Sequence, residues 1–289
     1  MKFKATQSSN LIKTIIHNIQ GLSFSSAQKA MRLGNIKVNG KRTKQNIQIN
    51  IGDEIDIYEI KKSKPNIPIV YEDENIIIIN KPAGIECATR DKSSENTYSL
   101  EEIFEDKNAI VVHRLDRLTE GLVILARNKN IAKLFEEIFR TRQVQKKYLA
   151  GVYHIPQSEG VKTAYLLKNS KTALVTISDT PKENYKEIIT EFYIQNKLKD
   201  YAIIDITLHT GRTHQIRGYF AHIGNPIIGD DKYGRNSKNT PLKTSYKGYH
   251  LTAYKLAFNI KHKDLEYLNK LEFEITPSWK QSLLENTNN

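Results

Sequence analysis

The chain has 289 residues, 39% hydrophobic and 26% charged, enough for one large domain or a large and a small one. No apolar run approaches the roughly 20 residues of a bilayer span, and the opening "MKFKATQSSN" lacks the apolar stretch of a secretory leader, so a cytoplasmic protein with no membrane association is expected. The single cysteine, Cys87, excludes an intramolecular disulfide and a cysteine pair for metal, and the formal charge of +12 calls for a polyanionic partner, with nucleic acid favoured over an anionic membrane surface.

That charge is unevenly placed. Residues 1–50 hold nine Lys or Arg and no Asp or Glu. The same stretch reads as a small module. Leu11, Ile12, Ile15, Ile16 and Ile19 fall at helical spacing. "SSAQKAMRLG" comes next as a second helix, with Ser25 or Ser26 able to cap its start and Gly34 its end. Asn39-Gly40 then sits between short alternating segments and signals a hairpin. Arg32, Lys37, Lys41, Arg42 and Lys44 lie on this second helix and hairpin, as candidate contacts to phosphate. The prolines and lysines of 61–68 read as a linker between a module at 1–60 and a large domain at 69–289.

The large domain opens with a strand, a turn, the buried strand "IIIIN" and a loop anchored by Lys81-Pro82. Strands dominate the later segments of the chain. The strongest helix is "NIAKLFEEIFRTR", where Ile131, Leu134, Phe135, Ile138 and Phe139 make one apolar stripe. Many strands with a few helices predict an α+β domain built on a mostly antiparallel sheet. The terminal "ENTNN" is expected to fray.

Three segments concentrate chemistry. In "HRLDRLTEG", residues 113–121, Asp116 lies between Arg114 and Arg117, in a loop between two apolar runs. Adjacent cations favour an ionised carboxylate, and a turn aspartate capping a nearby N–H is the alternative. The second segment, residues 208–234, comes after "YAIIDITLHT", which alternates as a half-buried strand. Gly211 breaks that strand and Thr213 is placed to cap a helix, so Arg212 falls at a helix N-terminus, where phosphate is favoured. His214, Gln215 and Arg217 crowd the same turn. In the third, "VQKKYLAGVY", Tyr148 heads a strand. No HExxH, GxxxxGK[ST] or GxGxxG occurs, so no metal, nucleotide or dinucleotide cofactor is expected.

Together these segments resemble the RluA-type pseudouridine synthases. "HRLDRLTEG" is similar to that family's HRLDxxTSG signature, and "TGRTHQIR…AHIGNPIIGDDKYG" to its later motif. "KKYLAGV" is similar to its tyrosine segment, at the usual interval of 32 residues from the aspartate. The resemblance spans roughly residues 70–260. Residues about 10–60, chiefly "IKVNGKRTKQNIQINIGDEI", resemble an S4 RNA-binding domain, the arrangement of the family's large-subunit ribosomal RNA enzymes. Two positions depart from the pattern: Leu118 stands where an acidic or polar residue is common, and Glu120 where Ser is usual.

The resemblance implies a mixed, mostly antiparallel sheet flanked by helices, and isomerisation of uridine to pseudouridine in RNA, most plainly in 23S rRNA, by a monomer without cofactor. Asp116 would be the catalytic carboxylate, Arg217 its partner, and Tyr148 the residue stacked on uracil and helping to move the C5 proton. Arg114 would enter the RNA as the uridine leaves, with His113 beside it. Arg212, His214 and Gln215 would touch phosphates or sugars. Leu118 and Glu120 support a rival reading, an RNA-binding assembly factor of the same fold without activity. A glycosidase-like hydrolase needs two carboxylates about one bond, and only Asp116 is singled out.

Overall fold

The structure, a computed structural model, describes residues 1–19, 22, 24–58, 64–88, 98–234 and 246–285. Residues 61–63 of the expected linker, and 286–289 of the terminal "ENTNN", lie outside the described residues. The chain divides into two compact units, Met1–Asn66 with Thr89–Ile103, and Ile67–Ala88 with Phe104–Asn289.

The first unit runs β1 (Lys2–Lys4), β2 (Ser9–Asn10), α1 (Leu11–Asn18), α2 (Phe24–Arg32), β3 (Ile36–Val38), β4 (Lys41–Arg42), β5 (Gln48–Ile49) and β6 (Glu54–Ile57). The Asn10 carboxamide caps α1 by accepting from the Lys13 N–H at 3.0 Å. Leu11, Ile12, Ile15 and Ile19 pack with Ala27, Ala30 and Met31 of α2 and with Ile36 and Ile55 of the sheet. Helix α2 begins at Phe24, so Ser25 and Ser26 lie within its first turn and neither is the N-cap. At its other end Gly34 takes φ +72° and the Asn35 N–H reaches back to the Ala30 carbonyl at 2.9 Å. Asn39 and Gly40 both have positive φ, as a two-residue type I′ turn requires, and Val38 pairs with Lys41. The sheet order is β1-β6-β3-β4, with β2 paired to β5. The short helix α3 (Leu100–Ile103) also groups with this unit, its start held by reciprocal Ser99 and Glu102 hydrogen bonds.

The second unit opens with β7 (Ile69–Glu72), β8 (Ile76–Lys81), β9 (Ile110–Val111) and β10 (Glu120–Ala126). Next come α4 (Lys129–Arg140), β11 (Val144–Tyr153), β12 (Gly160–Lys168), β13 (Val175–Ser178), β14 (Lys186–Lys197) and β15 (Tyr201–Leu208). Helix α5 (Gln215–His222), β16 (Leu251–Phe258), β17 (Glu272–Glu274) and α6 (Lys280–Glu285) complete it. The strands form one sheet in the order β13-β12-β14-β15-β11-β16-β10-β8-β7, with β17 on β16 and β9 on β10. Strands β10 and β16 run parallel, and the other described pairs antiparallel. This is the mixed, mostly antiparallel sheet of an α+β fold.

Helix α4 is capped by Asn128, which accepts from the Ile131 N–H at 3.0 Å, and it lays Ile131, Phe135 and Ile138 on the sheet against Ile78, Leu122 and Ile124. Phe135 is fully buried, and its loss to Ala costs about 3–5 kcal/mol. Strand β15 departs from the expected half-buried pattern. Ile203 is as buried as Ile204 and Ile206, because Trp279 and Leu283, from the segment entering α6 and from α6, cover that face. Where the parallel pair meets, Gly121 has φ +128° and a Cβ there would strike the Ala253 backbone, so only glycine fits.

Candidate active site

Asp116 lies in the loop joining β9 to β10, and that loop is gripped from several directions. The Arg117 carbonyl accepts from the Gly84 N–H at 2.7 Å and from Lys81 Nζ at 3.3 Å. Lys81 Nζ also donates to the carbonyls of Pro82 and Ile85, at 3.1 and 3.0 Å. Its burial pulls the ammonium down to about 8. Cys87 Sγ accepts from the Leu115 N–H at 3.3 Å, and the Leu118 carbonyl accepts from the Tyr249 N–H at 2.9 Å. The carboxylate is thereby placed by backbone on both sides of it.

Its partner comes from α5. Arg217 is 3% exposed and makes four hydrogen bonds. Nε and Nη2 clasp Asp230 at 2.6 and 3.0 Å, Nη2 also donates to Tyr249 Oη at 3.0 Å, and Nη1 donates to Asp116 Oδ2 at 2.8 Å. The rings of Tyr249 and Tyr233 lie 4.2 and 5.0 Å from the guanidinium carbon. Burial works against this charge, but Asp230 and Asp116 outweigh it and hold the guanidinium above the usual arginine range. Two carboxylates share one cation, so one negative charge remains. Asp230 is fully enclosed, whereas the Asp116 side chain is 23% exposed, so the uncompensated charge faces the cavity.

That cavity, about 160 Å³, lies among Asp116, Tyr148, Leu208, His214, Arg217 and Leu251, with Arg114 and Arg212 at its mouth. Tyr148 points into it from β11, beside a shift in the pairing with β16 between Lys147 and Tyr148 that redirects the side chain. Its hydroxyl makes no hydrogen bond to a described residue. Burial, reinforced by the Asp116 charge, pushes the phenol far above its ordinary value, so it stays protonated. Arg114 and Arg212 are exposed and form no ion pair among the described residues.

Not every residue expected at the site reaches it. His113 is turned back onto the sheet: its Nε2 accepts from the Ile124 N–H at 3.0 Å and its ring lies 5.0 Å from that of Phe139. Burial, then the nearby Lys146, lowers its basicity strongly. Gln215 borders the cavity but is 2% exposed, and its carboxamide is engaged internally. Oε1 accepts from Thr210 Oγ1 and from the Arg212 N–H, both at 3.0 Å, and Nε2 donates to Thr190 Oγ1 at 3.0 Å. Thr213 does not cap α5. The N-cap is His214, in a left-handed conformation (φ +52°) with no capping bond of its own. Instead its Nδ1 meets Tyr233 Oη at 2.9 Å, and its Nε2 lies 3.7 Å from Asp116 Oδ1. Burial lowers its pKa, leaving a neutral ring beside the carboxylate.

Glu120 now has a place. Its Oε1 accepts from Thr252 Oγ1 and from the Ser278 N–H, both at 2.8 Å, and its Oε2 from Ser278 Oγ at 2.5 Å. It faces the segment entering α6, and it is absent from the cavity wall. Asp230, Tyr233 and Tyr249 were assigned no role from the sequence, although the first two stand in "GDDKYG". The signal was an acid that folding buries, which demands a cationic partner. Among the described residues no cluster of three or more His, Cys, Asp or Glu is arranged to hold a metal.

Residues 75–222 match the family described as RNA pseudouridylate synthase. The chain belongs to this family. It is 32% identical, over 96% of both chains, to a Mycoplasma capricolum protein named an uncharacterized RNA pseudouridine synthase. It is 33% identical to ribosomal large subunit pseudouridine synthase C of Buchnera aphidicola subsp. Baizongia pistaciae, over 83% of this chain and 82% of that one. In fold it is similar to human RNA pseudouridylate synthase domain containing 4, at a TM-score of 0.59 and 24% identity over 76% of this chain and 93% of that chain.

Proposed function

We propose that this protein isomerises uridine to pseudouridine in large-subunit ribosomal RNA, as a cytoplasmic monomer without a nucleotide cofactor, with Asp116 as the catalytic carboxylate. The observation that carries the reading is the 2.8 Å contact from Arg217, itself clasped by buried Asp230, which holds the Asp116 carboxylate at a cavity shared with Tyr148. The names of the relatives support ribosomal RNA as the substrate.

The reaction breaks the N1–C1′ bond, turns the base, forms C5–C1′, releases the C5 proton and leaves a proton on N1. Asp116 either attacks as a nucleophile or removes a sugar proton, and both routes need its charged form. Tyr148, held protonated, is suited to stack on uracil and to donate or relay a proton; it is not suited to act as a phenolate base. The target must leave its stack at a cost of about a few kcal/mol, and in this reading Arg114, exposed beside the cavity, fills the gap. Arg212 and His214 would meet phosphate or ribose.

The first unit supplies affinity in this reading. Two helices followed by a hairpin support an S4-like RNA-binding module at 1–60, joined through 61–68 to a catalytic domain at 69–289. Arg32, Lys41, Arg42 and Lys44 are exposed and form no ion pair among the described residues, so they are free to neutralise phosphates, whereas half-buried Lys37 lies over the Tyr58 ring at 5.1 Å. The rival reading, a factor without activity, rested on Leu118 and Glu120. Glu120 faces away from the cavity and gives no ground for lost activity. The test is pseudouridine mapping of ribosomal RNA from cells lacking the gene, complemented with wild type or Asp116→Ala. Sites should appear with wild type only, and identical maps would overturn the assignment.

A further inference from the structure

A second concavity, of about 330 Å³, lies where β11 begins and β15 and β16 end, and it shares Leu208 with the catalytic cavity. Leu208 and buried Phe258 give it an apolar floor. Arg142, Gln145 and Asn259 stand around that floor, all three exposed. None of these three side chains bonds to a described residue. Neighbouring polar groups do have such partners. The Gln143 carboxamide accepts from the Lys261 N–H at 2.8 Å and donates to Thr141 Oγ1 at 2.6 Å, and His209 is tied to Glu191 at 2.7 Å. Arg142 also takes a left-handed backbone (φ +59°), uncommon for such a side chain, as the chain leaves α4.

A small apolar patch within a mostly polar lining suits a ligand that has both an apolar face and polar edges. Two carboxamides, each offering a donor and an acceptor, suit the edge of a nucleobase. A guanidinium suits a base face or a phosphate. A bare anion would leave the apolar floor unused. We propose that this concavity is a second nucleotide pocket, which takes an unpaired nucleotide of the substrate RNA while the target uridine occupies the catalytic cavity. The proposal rests on the uridine-isomerase reading and deepens it. Gln145 and Asn259 read the base, Arg142 holds its face or phosphate, and site choice depends on which nucleotide neighbours the target.

The test uses full-length protein and large-subunit ribosomal RNA, labelled with tritium at uridine C5, from cells lacking the gene. Tritium release is measured for wild type, for the double variant Gln145→Ala/Asn259→Ala, and for Arg142→Asn, since asparagine accepts the left-handed backbone. Loss of two hydrogen bonds should raise KM about tenfold, with kcat within about twofold and an unchanged melting midpoint. The proposal fails if wild type is active and the variants keep its KM. No release by wild type overturns the isomerase reading, and the pocket's role with it. Should the double variant melt early, Arg142→Asn decides alone, and an unchanged KM there counts against the pocket.

Discussion

Arg42, on β4 of the first unit, and Arg217, on α5 of the second, are the same side chain in opposite surroundings. Arg42 is exposed, in a hairpin with Lys41, and pairs with no acid among the described residues. Arg217 is enclosed, its donors shared among two carboxylates and a phenol. A solvated cation attracts any phosphate and loosens its hold as salt rises. A buried one cannot move to a new partner, so it fixes geometry instead. In the proposed reading, the exposed cation would serve capture and the buried one would serve the chemistry.

Four experiments press on that division. The largest effect should come from Asp116→Ala, which removes the group that the buried network positions. Tritium release should fall at least about a thousandfold, while RNA affinity measured by filter binding stays near wild type. Next is Arg217→Met, which strands Asp230 as a buried, unpaired charge. Denaturant titration should show a loss of about 3–5 kcal/mol, and a midpoint equal to wild type would mean that the clasp is not structural.

Third is pH. His250 lies between the rings of Tyr246 and Trp279, and burial lowers its pKa to about 4. The unfolded histidine takes up a proton as pH falls through about 6.5, whereas the folded one resists until about 4. The unfolded state therefore binds more protons in that window, and stability falls as pH drops from 6.5 to 4, by at most about 3 kcal/mol from this group. His250→Phe should flatten that part of the curve. The smallest effect belongs to the exposed region. Lys41→Glu/Arg42→Glu should weaken RNA binding about tenfold at moderate salt and lower the salt slope by about 2, with kcat unchanged. A slope that did not move would place the phosphate contacts elsewhere.

Several local signals in the sequence were reliable, though the caps expected at Ser25, Ser26 and Thr213 were not. Asn39-Gly40 specifies its turn through two adjacent backbone angles, and the α4 stripe through a period of four residues. Asp116, Tyr148 and Arg217 stand in motifs at set spacing, and the fold brings all three to one cavity. Other departures depended on distant partners. Gln215 is a polar residue in a polar turn, and only the approach of Ile189 and Thr190 on β14 makes it a brace. His113 shares a motif with Asp116 yet points the other way, because β10 offers its Ile124 N–H. Thr213 had the right residue type for a cap, but the backbone turns one residue later, at His214. Glu120 is an anomaly in the sequence because the group that receives it, Ser278, is 158 residues away.

Those separations bear on how the molecule is made. Asp116 and Arg217 are 101 residues apart, and Glu120 and Thr252, at the parallel junction of β10 and β16, are 132 apart. Contacts so far apart close slowly and late. As the chain leaves the ribosome, the hairpin of the first unit has all its parts within the first 60 residues, and its cations are present from the start. The Asp116 carboxylate has no guanidinium until α5 has emerged, and its loop has no clamp from Tyr249 until almost the whole chain is out. If the proposed roles hold, a nascent chain would bind RNA well before it was able to alter it.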